Sequence, residues 1–388
     1  MAGKHVNPCC ASKEKPTGGT VRKSGRIIAA LLLMILAFGI GSAVFVSASA
    51  ATVASGKCGG SAEWALTEDG TLTISGTGAM EDYKYPANPE WYDHKDMIKT
   101  VIFSDGITDI GYGVFADCTA LTEVTIPDSV TSIDNFTFLS CDSLTDIDVS
   151  QGNEAYCSID GVLFNKSGSE LIRFPAGRNG SYTIPDSVTN IGYGAFFGCA
   201  ALTEITIPDS VTYIGYGAFS CCTGLTEINI PNSVVIIDNI VFDSCTGLTE
   251  INIPDSVTSI DHSAFLCCDS LTDIDVGLGN EVYSSIDGVV FNKSGSELIC
   301  FPAGRSGSYT IPSGVTSIGD YAFYGDTALT EIFIPASVTS IEWGAFSLWN
   351  ALSDVYYEGS ESDWQKIEID NYGNISLLNA KIHYNASA

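Results

Sequence analysis

Basic residues are what this 388-residue chain has least of: 17 Lys+Arg stand against 46 Asp+Glu. Six of the bases (Lys4, Lys13, Lys15, Arg22, Lys23 and Arg26) precede Ile27. After residue 50 the balance is 11 basic to 45 acidic, a net charge of −34. A surface of that sign repels nucleic acid and anionic lipid, which excludes nucleic-acid binding. Histidine is also scarce. Only His94, His262 and His383 follow the first fifty residues, and none lies in an H-E-x-x-H frame. No P-loop and no G-x-S-x-G appears. Carboxylates abound, but they recur in identical surroundings, whereas general acid–base work needs two differently tuned ones. The residues predict no enzyme, no catalytic residue, no cofactor and no metal site.

Long apolar runs are lacking too, with one exception, the 20 uncharged residues Ile27–Val46. Basic flank, apolar run and the small residues Ser47–Ala50 together read as a secretory signal with an Ala-x-Ala site ending at Ala50. The run is also long enough to span a bilayer, so an uncleaved N-terminal anchor is the other reading and the only membrane contact expected. In either case the remainder is exported, and the expected location is secreted or cell surface, on the extracellular side.

What is present in abundance is repetition. The 23-residue stretch Leu121–Ser143 recurs with its leading leucine at Leu121, Leu144, Leu202, Leu225, Leu248, Leu271, Leu329 and Leu352. Self-similarity at such a period is the mark of a solenoid. Within the Leu202 copy, the alternation of Ile205 and Ile207 with Glu204 and Thr206 predicts a short strand with the isoleucines inward. Pro208 then turns the chain, Val211 and Ile214 give a second short strand, and a turn or short helix leads to the next leucine. Asp128, Asp186, Asp209 and Asp255, which follow the prolines, read as turn formers. Phe115, Phe138, Phe196, Phe219, Phe242, Phe265, Phe323 and Phe346 each stand six residues before a leucine and predict a buried aromatic column. Counted from Phe103 to Tyr357, the strands give eleven coils, about 50 Å of stack at strand spacing.

Twice the step lengthens, at near-identical inserts that read as hairpins added to one coil. The expected organisation is 1–50 signal peptide or anchor, 51–97 an N-terminal cap with a β-hairpin, and 98–357 the repeat array with inserts near 156–180 and 283–307. Residues 358–388 are expected to form a C-terminal cap, since open solenoid ends need covering.

The running pattern I-P-x-S-V-T-x-I-G-x-x-A-F-x-x-C-x-x-L, nearly literal at Ile207–Leu225, resembles the BspA-type leucine-rich repeat proteins. That resemblance implies a right-handed leucine-rich-repeat solenoid of short parallel strands, mostly β and coil with short helical turns. It also implies a bacterial surface or secreted protein that adheres to host or matrix ligands, with no family catalytic residues to carry over.

Three constellations remain. Cys118, Cys141, Cys199, Cys222, Cys245 and Cys268 stand three residues before leading leucines; disulfides are geometrically open, but a column of buried thiols is the favoured reading. Second, Glu123, Asp146, Glu204, Glu227, Glu250, Asp273, Glu331 and Asp354 are expected to line the outward side of the first strands. Beside them stand Thr125, Asp148, Thr206, Asn229, Asn252, Asp275, Phe333 and Tyr356. Stacked carboxylates attract cations, so this face is the candidate binding surface for a protein ligand, against the plainer reading of a solvated, aggregation-resisting face. Third, Phe333, Trp343, Trp349, Tyr356, Tyr357, Trp364 and Tyr372 are grouped near the C-terminus. They offer the alternative of carbohydrate binding or a structural cell-envelope role, or else simply pack the cap.

Overall fold

Every repeat makes one turn of a coil, because its sequence supplies two short strands separated by obligatory turns. The structure, a computed structural model, describes residues 50–83, 88–326 and 328–387. Residues from Thr52 onward form one compact unit. The segment read as signal or anchor lies outside the described residues, Ala50 excepted.

First strands stack in parallel in several runs, in 23-residue register: Glu123 lies beside Asp146 and Glu250 beside Asp273. Second strands do the same, with Asn190 beside Tyr213 and Ile236 beside Ser259. The chain makes about twelve turns, more than the eleven coils counted from the sequence. Thr71–Gly76 pairs in parallel ahead of Thr100–Phe103, and Lys381–His383 follows Asp354–Tyr357. Ahead of these, Thr52–Lys57 and Ala62–Thr67 pair antiparallel with each other and onto Thr71–Gly76.

The polar letters of the repeat tie coil to coil. After the first strand each proline carbonyl accepts from the valine three residues on, as Pro208 does from Val211 at 3.1 Å. Serine in the same turn reaches the previous coil: Ser210 Oγ donates to the Val188 carbonyl at 2.7 Å. Thr249 Oγ1 donates to the carbonyl of Thr226, its counterpart one coil earlier, at 3.3 Å. The leg after the second strand is turn, not helix. It requires a left-handed residue just before each column cysteine, met by Gly198 but also by Asp117, Ser140, Cys221, Ser244 and Cys267.

Inside, the phenylalanine column stacks at 5.0 Å between Phe196 and Phe219 and at 5.7 Å from Phe219 to Phe242 and Phe242 to Phe265. The column cysteines are unbridged. Four of the thiols bond the column phenylalanine carbonyl of the coil before: Cys141 to Phe115 at 3.2 Å, and Cys222 to Phe196, Cys245 to Phe219 and Cys268 to Phe242, all at 3.1 Å. That accounts for cysteine at this place, since it is small, apolar and still a donor.

The inserts are more than hairpins. Tyr156–Ile159, Val162–Asn165 and Glu170–Arg173 form a three-stranded antiparallel meander whose last strand joins the second-strand sheet beside Asn190–Ile191. Its first turn places Asp160 and Gly161 both at positive φ, the two-residue hairpin geometry that Asp-Gly favours. The copy at Tyr283–Cys300 repeats the arrangement. Both faces of the second and third strands of these meanders are buried. Leu163 and Ile172 pack into the core on the N-terminal side, while Val162, Phe164 and Leu171 pack into the next one. Each insert is thus a partition wall, and the two walls divide the apolar interior into three cores. Strands buried on both faces read as unbroken apolar runs, which is why they looked like plain hairpins in sequence.

Candidate functional site

Outward side chains of the first strands alternate with buried ones. Glu204 and Thr206 are exposed while Leu202 and Ile205 are buried, and Glu250 and Asn252 flank the buried Ile251. Every candidate acid is on this outer face, none of them buried. They do not make one continuous ladder.

The walls break it. Asp146 and Asp148 close the first run beside Glu123 and Thr125. On the far side of the first wall the insert coil supplies Ser181 and Thr183, and these pair with Glu204 and Thr206. Glu227 lies outside a regular strand, and Asn229 makes a single bridge to Asn252. Glu250 and Asn252 then face Asp273 and Asp275, where the second wall intervenes. Glu331 beside Asp354 and Phe333 beside Tyr356 form the last run.

Three of the eight acids carry a cationic or potentially cationic partner, and sequence reasoning missed all three. Arg178, just past the first wall, donates from Nη2 to Asp146 Oδ1 at 3.1 Å and from Nε to the Thr145 carbonyl at 2.6 Å. Arg305 does the same to Asp273 at 3.2 Å and to Thr272 at 2.6 Å. His383 Nε2 lies 2.7 Å from Asp354 Oδ1, a bond that holds the Asp354 carboxyl below its ordinary range. The matching Phe-Pro-Ala-Gly-Arg in both inserts was the available signal. Among the described residues, no ion pair involves Glu204, Glu227 or Glu250. Likewise among the described residues, no group of three His, Cys, Asp or Glu could hold a metal.

The aromatic grouping near the C-terminus does not converge, and that expectation is corrected. Phe333, Tyr356 and His383 stack on the outer first-strand face, at 4.6 Å for each step. Trp349 is buried at the column-cysteine place and stacks on Phe346 at 5.4 Å. Tyr357 is buried against the edge of Trp364 at 5.2 Å. Trp343 and Tyr372 stack at 4.9 Å beyond the second strands. Residues close in sequence occupy different repeat positions, so the coil sends them to different sides.

Comparison with known proteins identifies the repeat. The model for the BspA type leucine rich repeat region matches in six copies over residues 89–179, 174–296 and 300–386. A leucine-rich repeat protein from Eubacterium ventriosum is 27% identical, with a TM-score of 0.40, over 79% of this chain and 72% of that one. A leucine rich cell surface protein from Faecalibacterium prausnitzii is 25% identical, with a TM-score of 0.31, over 83% of this chain and 99% of that one. None of the curated proteins matches. With its repeats matched over most of its length, the chain belongs to the BspA-type leucine-rich repeat family.

Proposed function

We propose that this chain is an exported, non-catalytic binding or adhesion protein that recognises a protein ligand, such as a host or matrix protein, along the outward face of its first strands. One observation carries the reading: Glu204, Glu227 and Glu250 stand outward with exposed Thr206, Asn229 and Asn252 beside them, and none is tied up in an ion pair. Buried positions of the repeat are accounted for by packing, and its turn serines and the threonines after the leading leucines by coil-to-coil bonds. These acids have no such task. Family membership fits a general role in protein interaction or adhesion at the cell surface.

The perturbed groups argue against chemistry. Burial pushes the Cys141 thiol up to about 12 and Cys222 and Cys268 well above their ordinary value, which keeps them protonated and unreactive. The carbohydrate alternative has less to rest on. Tyr356 has both ring faces covered, by Phe333 and His383, and Trp349 is buried. Tyr372, at 61% exposed, is the most open ring of that set. Binding of the exported chain to immobilised matrix proteins, set against a glycan array, tests the assignment. Retention on the proteins supports it, and retention on glycans alone overturns it.

A further inference from the structure

Because the fold states each position many times over, the chain serves as its own control: a residue that departs from its column is not one the coil requires. The clearest departure lies on the second strands, away from the first-strand acids. Outward there, the coils place Thr131-Ser132, Thr189-Asn190, Thr258-Ser259, Thr316-Ser317 and Thr339-Ser340. The threonine is more than decoration, since Thr131, Thr189, Thr212, Thr316 and Thr339 each donate a side-chain bond to the neighbouring coil. In the Leu225 coil the pair is Val235-Ile236. That bond is given up, and the two aliphatic side chains are 44% and 45% exposed.

One neighbour departs in the same direction. Tyr213 takes the serine place one coil earlier, next to Ile236 in register. Its ring lies 6.4 Å from that of Tyr193, itself 46% exposed, and its hydroxyl donates to Asp238 Oδ2 at 3.0 Å. Tyr213, Val235 and Ile236 thus replace the Thr and Ser of their columns, and they adjoin Tyr193, whose place just after the second strand carries Tyr112, Tyr216 and Trp343 in other coils. A contiguous exposed apolar patch on a soluble surface marks an interaction site.

Charge names the occupant. From residue 179 to residue 292 there is no Lys or Arg at all, against fourteen Asp and Glu. Asp238 and Asp261 stand at the patch itself, Asp261 held by Asn239 Nδ2 at 3.2 Å. Such a rim repels a second copy of this chain, as it repels nucleic acid and anionic lipid, and attracts a polypeptide that combines apolar and cationic side chains. We propose that Tyr193, Tyr213, Val235 and Ile236 form a docking surface for a basic amphipathic segment of another protein. It is separate from the first-strand face and independent of the function proposed for it.

The test uses the chain expressed with its own N-terminal segment in an exporting host, titrated with a fluorescent amphipathic peptide of Lys and Leu. Restoring the column residues with V235T/I236S should weaken binding by about tenfold or more, as expected for losing two half-buried aliphatic contacts, with Tm unchanged. A scrambled, non-amphipathic peptide of the same composition should bind more weakly than the amphipathic one, and E204Q/E227Q/E250Q should leave peptide binding intact. Equal affinity for V235T/I236S overturns the proposal, as does equal binding of the scrambled peptide. Self-association of the chain that V235T/I236S abolishes would also overturn it, because the occupant would then be a second copy. If V235T/I236S melts lower, Y193S provides the same comparison without touching a strand.

Discussion

Arg173 Nη2 donates to the carbonyl of Phe138 at 3.0 Å, the place where a column cysteine of the next coil would otherwise donate. The first wall displaces that cysteine, and the guanidinium substitutes for it while also bonding the Gly194 and Phe197 carbonyls at 2.7 and 3.1 Å. It is 2% exposed, and burial lowers its pKa below the ordinary arginine value. Removing it leaves a cavity and takes the donor from the Phe138 and Phe197 carbonyls, while the Gly194 carbonyl still accepts from the Phe197 amide at 2.9 Å. Arg173→Ala should cost about 3–5 kcal/mol. In urea unfolding followed by hydrogen exchange, protection should fall first on both sides of the wall. A loss below about 0.5 kcal/mol would refute this account of the wall.

The buried column thiols Cys141, Cys222 and Cys268 should be silent toward Ellman's reagent in the folded chain at pH 8, because the thiolate is the reacting form and burial holds Cys141 at about 12 and the other two well above their ordinary value. In denaturant without reductant, every cysteine of the isolated chain should titrate. A shortfall there would mean bridges, and fast reaction of the native chain would mean a loose column.

Asp326 stands where other coils have the column cysteine. It is fully buried, accepts from the Ala328 and Leu329 amides at 3.0 and 2.8 Å, and is pushed up to about 6. The folded state holds this proton more tightly than the unfolded one, so its contribution to stability falls as pH rises from about 4 to about 6. Above that range the ionised carboxylate carries its full penalty, on the order of 2–3 kcal/mol. Asp326→Cys, which restores the column residue, should raise Tm at pH 7 and flatten the pH dependence between 4 and 6. A variant that melts lower at pH 7 would contradict this.

Much of the fold was legible because the repeat says everything several times. Leucine, isoleucine, phenylalanine and cysteine recur at 23 residues, and each occupies the buried place that its period implies. The walls were not legible as walls. Val162-Leu163-Phe164 reads the same whether one face or both are buried, and only the three separate cores distinguish the cases. Nor could spacing reveal that Arg178 reaches back 32 residues to Asp146, since no coil period links them. The C-terminal aromatics were misgrouped for a simpler reason. Their repeat positions already assigned Trp349 to the core and Trp343 to a turn, and proximity in sequence obscured this.

The measurement that bears most directly on the proposed function is the affinity of the exported chain for its retained matrix protein, with and without E204Q/E227Q/E250Q. The three side chains are exposed and make no ion pair among the described residues, so the substitution should leave Tm unchanged. The account predicts binding weaker by about tenfold, with a shallower dependence on salt. Unchanged affinity and unchanged salt dependence would contradict it.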